Sequence, residues 1–425
     1  MKSIKNYVYT ERAHFMCPNM HFGIMAKIES NYDEGQLKQS IDTLQKAHPF
    51  LQSLIAEETD TGRFYYQIQD YLNIPVMVKE EAALWQQDYE EISVRGWNVM
   101  NECLLKVVVY PKENEFQILF IAHHLLCDGR GLLQLAEEFA EHYANGVIPQ
   151  FAPERLIQCL NDLPSNSDLP LISKLIIGDA NRRWKKEGHQ VMYEEYSAFE
   201  RAYIQKHKMK REIFTICNQE LEEILTLCKQ HSVTVNDWLI AKMMLEENTN
   251  KVVIAADIRN QAKCYRQGAM GNYSTAFSVS VKKNGENVII LAKRVASQVI
   301  NICHHPRKEM LVLACYIHMQ PELIDAVTIS TLGDFGSKAG SFIGRNMFGY
   351  GSQNGYSITN LGKIESNIIA EAVFIPPASP ANKKTWGVLT VNSHMKICVS
   401  NLIAERLYIP KPQSTLHGQC EQPFR

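Results

Sequence analysis

Two adjacent histidines followed by an acid and a glycine, Ala122-His123-His124-Leu125-Leu126-Cys127-Asp128-Gly129, are the residues of this chain best placed to do chemistry. They close an apolar, β-like run from Phe116 to Ile121 and open a helix-like segment. A histidine held at a strand end can take a proton near neutral pH, which its apolar neighbours cannot. Adjacent strand residues point to opposite faces, so one histidine of the pair would face a reaction centre and the other would not. That alternation also works against both rings ligating one ion beside Asp128, and no metal is expected. Cys127 follows Leu126 and has no nearby cation to lower its pKa, so it reads as a packed thiol rather than a nucleophile. No Gly-x-Ser-x-Gly elbow occurs. The glycines at 349, 351 and 355 lack the dinucleotide spacing.

The elements that must position this motif alternate between strand and helix. Phe22 to Ile28 reads as a strand, and Asp33 to Ala47 carries Leu37, Ile41 and Leu44 at helical spacing. Leu104 to Tyr110 and Phe116 to Ala122 are separated by the polar Lys112-Glu113-Asn114, which predicts a hairpin. Gly131 to Tyr143 predicts a helix directly after the motif. From Asn145 to about Lys210 the pattern degrades among prolines, with one basic cluster at Arg182-Arg183-Trp184-Lys185-Lys186. That cluster reads as a solvated helix face, with a landing site for phosphates or an acidic partner as the alternative. A second series begins with a strand at Arg211 to Cys217 and two helices up to Leu245. It continues through a strand at Val252 to Ala256 ending in Asp257-Ile258-Arg259-Asn260, and an amphipathic helix from Asn287 to Ile302. Late strands follow at Tyr356 to Leu361, Ile369 to Phe374, Trp386 to Val391 and Lys396 to Ser400.

Length and composition bound the rest. At 425 residues the chain exceeds one ordinary core and predicts two halves of about 200 residues. Hydrophobic residues at 45% and charged residues at 21% describe a globular protein. A formal net charge of −2 gives no global argument for nucleic acid or a membrane surface. No run approaches the roughly 20 apolar residues of a membrane span. The beginning of the chain lacks the apolar stretch of a secretory signal. Eleven cysteines, none in a Cys-x-x-Cys pair, predict free thiols in a reducing cytoplasm.

The spacing His-His-x-x-x-Asp-Gly in a two-halved chain of this length resembles the condensation-domain and chloramphenicol-acetyltransferase-like superfamily of acyltransferases. Stand-alone alcohol O-acyltransferases, polyketide-associated acyltransferases and condensation domains share that pattern. His48-Pro49-Phe50-Leu51-Gln52-Ser53 is similar to an early segment of the family, with Gln52 in place of its arginine. Asp257-Ile258-Arg259-Asn260 with Gly271-Asn272-Tyr273 resembles its arginine-bearing strand end, and Ser357-Ile358-Thr359-Asn360-Leu361-Gly362 a later strand.

The resemblance implies an α/β (α+β two-layer) fold of two acetyltransferase-like subdomains, each a mixed sheet flanked by helices, with the active site in the cleft between them. Residues 1–145 would form the first subdomain, 146–210 a crossover, 211–410 the second subdomain and 411–425 a polar tail. It implies a catalytic set of His124, His123 and Asp128, with His124 as general base, His123 orienting the loop and Asp128 pairing with Arg259 from the other half. Gly129 would permit a tight turn into the helix. Ser357, Thr359, Asn360 and Asn272 stand equally as oxyanion or substrate-binding residues. The implied reaction moves an acyl group from a thioester to a hydroxyl or amine by direct attack, without a permanently bound cofactor. Acyl-CoA is the expected co-substrate and a small molecule the acceptor, in a monomer. A condensation enzyme fed by the phosphopantetheine of a separate acyl or peptidyl carrier protein, and a non-catalytic binding protein on the same fold, remain open alternatives.

Overall fold

A computed structural model describes residues 5–283, 285 and 287–404. The expected tail at 411–425 lies outside the described residues. Thirteen strands occur among the described residues. In the first half they are β1 (His21–Ile28), β2 (Ser53–Glu58), β3 (Arg63–Ile68), β4 (Val76–Val78), β5 (Leu105–Pro111) and β6 (Phe116–His123). In the second they are β7 (His207–Ile216), β8 (Lys251–Asp257), β9 (Ser274–Ser280), β10 (Gly355–Ile364), β11 (Ile369–Ile375), β12 (Asn382–Val391) and β13 (His394–Ala404).

Two mixed sheets organise the molecule, in the orders β11-β1-β6-β5-β4 and β7-β13-β12-β10-β8-β9, with β2-β3 as a separate ribbon. β6 is buried at seven of its eight positions, the mark of a strand covered on both faces. One cover is the helix Gly129–Asn145, capped by Asp128, with Glu34–Ala47 packed beside it. The hairpin expected between β5 and β6 forms in antiparallel register, Leu105 opposite Ala122 and Pro111 opposite Phe116.

The division into halves is less clean in space than in sequence. β11 was expected within the second half, yet it pairs antiparallel with β1, Gly23 opposite Ile375, and so belongs to the first sheet. Its neighbours in sequence, β10 and β12, lie parallel to each other in the second sheet. Parallel neighbours need a crossover connection, and here the connection is a strand lent to the other sheet. That loan joins the two sheets along the chain.

The segment expected as an irregular crossover contains two helices, Leu171–Glu187 and Tyr193–Lys206. The first buries only Ile177, Ala180 and Trp184 while Leu171, Ile172 and Leu175 stay exposed, so its sequence lacks a strong one-sided stripe. Strand β9 also went unpredicted, although its burial alternates along Thr275, Phe277 and Val279.

Candidate active site

His124 lies one residue beyond β6, where its backbone N donates to Met20 O at 2.7 Å and so keeps the pairing with the β1 side. His123 turns to the opposite side, as strand alternation requires. There it is buried against the edge of Trp97, with ring centroids 5.8 Å apart. Its Nδ1 accepts from Leu125 N at 3.2 Å, which fixes the turn that follows the strand. His123 therefore shapes the loop without reaching the cavity.

The His124 ring is held by three contacts. It stacks on His14 at 4.0 Å between centroids with 6° between planes, and Phe22 packs on it at 5.0 Å. Asn272 grips it edge-on: Asn272 Nδ2 donates to His124 O at 2.7 Å, while Asn272 Oδ1 lies 3.0 Å from His124 Nδ1. The first bond dictates the orientation of the amide, so Oδ1 must be the atom facing Nδ1. A carbonyl oxygen only accepts, so Nδ1 carries the hydrogen and Nε2 the lone pair. Burial lowers the His124 pKa from its ordinary 6.5, partly offset by the Asp128 carboxylate and the Asn272 bond. The ring is thus neutral at pH 7, with Nε2 free to accept a proton.

Asn272 was expected among the substrate-binding candidates, and its geometry makes it the residue that sets the tautomer of His124. Its own position is set from the crossover. Buried Glu154 accepts from Met270 N at 2.8 Å and Gly271 N at 3.1 Å, and takes the Tyr273 hydroxyl at 3.2 Å. A lone glutamate in an irregular stretch carries no periodic signal, and nothing in the sequence pointed to Glu154 or to His14.

Asp128 caps the helix Gly129–Asn145, accepting from Gly131 N at 2.9 Å. It also accepts from Arg259 Nη2 at 2.8 Å and Nη1 at 3.0 Å, and from Tyr273 N at 2.9 Å. Four donors occupy a buried carboxylate, which leaves it no role as a proton carrier at the cavity. The expected pairing with Arg259 is present, and the guanidinium also holds Gly271 O and Asp257.

The reason for Gly129 differs from the expected one. It has no left-handed φ. A Cβ there would come within 2.8 Å of Leu361 and 3.1 Å of Phe374, so any added side chain would have to displace these side chains of β10 and β11. Gly131 is more constrained still, since a Cβ would sit 1.9 Å from Met270 O. Cys127 is fully buried, and burial pushes its thiol well above the ordinary range.

A cavity of about 250 Å³ opens beside His124 between the two sheets. Its first-half wall comes from Thr10, Glu11, His14 and Cys17. Its second-half wall includes Asn272, Thr275, Ser357, Thr359, Asn382 and Thr385. Ser357 Oγ is 2.9 Å from Thr385 Oγ1 and accepts from Asn382 Nδ2 at 2.9 Å, giving a hydroxyl patch on parallel strands β10 and β12. Asn360, expected with them, does not line the cavity: its side chain accepts from Gly362 N and approaches Asn236. None of the basic residues 182–186 lines the cavity, and Arg182 and Arg183 pair with Asp179 on an exposed helix face. Among the described residues no group of three or more His, Cys, Asp and Glu converges as a metal site would.

The arrangement is a two-walled cleft with one tautomer-locked imidazole, and solved structures share its frame. The chain superposes on polyketide synthase associated protein 5 from Mycobacterium tuberculosis over 95% of its own length and 93% of that chain, at 14% identity and a TM-score of 0.56. It is similar to the first condensation domain of the CDA synthetase over 94% and 91% of the two chains, at 10% identity and a TM-score of 0.56. It is also similar to the epimerization domain from the third module of tyrocidine synthetase B, over 92% and 88%, at 16% identity and a TM-score of 0.53. No family model and no curated protein matches the sequence. The fold is therefore that of condensation domains. At such low identities the likeness concerns the frame, and the chemistry has to be argued from the side chains.

Among the described residues no helix is long and apolar enough to cross a membrane.

Proposed function

We propose that this protein is an acyltransferase in which His124 Nε2 removes the proton of a hydroxyl or amine as that atom attacks a thioester carbonyl. The observation that carries the reading is the Asn272 clamp, because it leaves the lone pair on the nitrogen not engaged by the protein. The acceptor oxygen or nitrogen bonds to the carbonyl carbon, and the carbonyl π electrons move to oxygen. Collapse of that intermediate expels the thiolate, which takes the proton back from His124 Nε2. The products are an ester or amide and a free thiol, with no acyl-enzyme. Such a base contributes about 10²–10⁴ in rate. Ser357 and Thr359 are the hydroxyls proposed to donate to the oxyanion, because both line the cavity that His124 lines. Both walls come from one chain, which supports a monomer as the working unit.

The favoured donor is acyl-CoA. Transfer from a separate carrier protein is the second reading, favoured by the likeness to condensation domains. Incubating the protein with a panel of acyl-CoAs and candidate alcohols and amines, and following thiol release, tests both. Release that needs an acceptor and falls 10²–10⁴-fold in His124→Ala supports the first reading. Release only from acylated carrier protein selects the second. Acceptor-dependent release indifferent to His124→Ala removes the base assignment.

A further inference from the structure

The short segment ahead of β1 puts two more titratable side chains on the cavity wall. Glu11 and His14 belong to one turn, with His14 N donating to Glu11 O at 2.8 Å. Glu11 is only 1% exposed. Each residue ends in a buried polar atom without a protein partner, Glu11 Oε2 and His14 Nδ1. Buried polar atoms are nearly always paired, so two orphans one turn apart in the wall of one cavity point to a missing ligand.

The chemistry of that ligand follows from the atoms. Thr10 Oγ1 lies 3.0 Å from Glu11 Oε1 and 3.1 Å from Ile157 O, and its single proton serves one of them at a time. A proton on Glu11 Oε1 lets all three atoms be satisfied, and burial does push Glu11 up to about 7. Oε2 is then a carbonyl-type acceptor awaiting a donor. His14 is kept neutral chiefly by burial, and also by the neighbouring rings of His124 and His123. Among the described residues no lysine or arginine lines the cavity, so it offers no cation to pair with a carboxylate or phosphate.

We propose that Glu11 and His14 bind a second polar group of the acceptor, a hydroxyl or amino group that donates to Glu11 Oε2, so that the acceptors are diols or amino alcohols. This rests on the acyl-transfer reading for the first group, which reacts at His124. Glu11, His14 and His124 line one cavity and His14 stacks on His124, so an acceptor held at Oε2 would share that cavity with the base and gain orientation as well as affinity.

Binding of 1,2-octanediol, 2-amino-1-octanol and 1-octanol to the full chain, measured by calorimetry without any thioester, tests the assignment. The diol or the amino alcohol should bind roughly tenfold tighter than the mono-alcohol, as expected for one added hydrogen bond. Glu11→Met, which keeps the volume, should erase that preference and leave 1-octanol binding unchanged. Equal binding of all three, or a loss in Glu11→Met that is the same for each, overturns the proposal. Tighter binding of the amino alcohol alone, growing as pH rises through about 7, marks an ammonium group on ionised Glu11. Tighter binding of the diol alone marks a hydroxyl. A diol preference in a protein that consumes no thioester would sink the acyl-transfer reading while leaving this site in place. Unchanged circular dichroism of Glu11→Met excludes simple unfolding.

Discussion

Two buried Arg–Asp pairs join distant parts of this chain, and their surroundings differ. Arg259 reaches Asp128 across 131 positions, and Arg12 reaches Asp325 across 313. Arg12 forks Asp325 through Nε at 2.8 Å and Nη2 at 2.6 Å, both residues being almost fully buried. That fork ties the segment carrying Glu11 and His14 to the helix Pro321–Leu332. Asp128 also takes two backbone N–H groups, from Gly131 and Tyr273, so it fixes the loop of His124 and the loop of Asn272 together. One pair clamps a wall; the other sets the distance between a base and the residue that orients it.

The comparison breaks most visibly at Asp128. Asp128→Ala should abolish turnover and cost about 3–5 kcal/mol, because Arg259 is left charged and partly unpaired in a buried place. Denaturant unfolding and steady-state rates measure both. Replacing both partners, Asp128→Leu with Arg259→Met, should restore much of the stability and none of the rate.

Arg12→Met should cost a similar 3–5 kcal/mol by leaving Asp325 buried and alone. Its residual activity should keep the wild-type pH profile, since the Asn272 clamp is untouched. A shift of that profile would mean that the Arg12 wall also tunes the base.

The smallest expected effect is the most diagnostic. The pKa of His124 lies below 6.5, so the wild-type rate should be level around neutrality and fall only as pH drops through that depressed value. Asn272→Asp places a negative oxygen against Nδ1, which favours the charged ring and moves the acid limb upward. Loss of the bond to His124 O should also lower the maximal rate, by up to about 10²-fold if the ring is misplaced by 1 Å. An acid limb that stays put in Asn272→Asp argues that another group titrates.

Much of the frame was legible. The apolar run Phe116 to Ile121 and the helix after the motif appear where periodicity places them, and strand alternation alone separates His123 from His124. The hidden parts share a cause. Leu171–Glu187 buries a narrow face and leaves aliphatic residues in solvent, so its spacing does not announce a helix. β11 looks like any buried strand, and no local pattern says which sheet it joins. At the site, the role of Asn272 depends on a backbone carbonyl 148 positions away.

By itself the sequence determined the strands and helices that flank the motif, and which short stretch holds a proton-handling side chain at a strand end. Burial periodicity is a local property, written into neighbouring residues. Only the tertiary structure decided which nitrogen of His124 is free, why position 131 excludes a side chain, and that Glu11 and His14 share its cavity. Those outcomes depend on contacts between segments far apart in the chain, and such contacts leave no repeating mark in either partner.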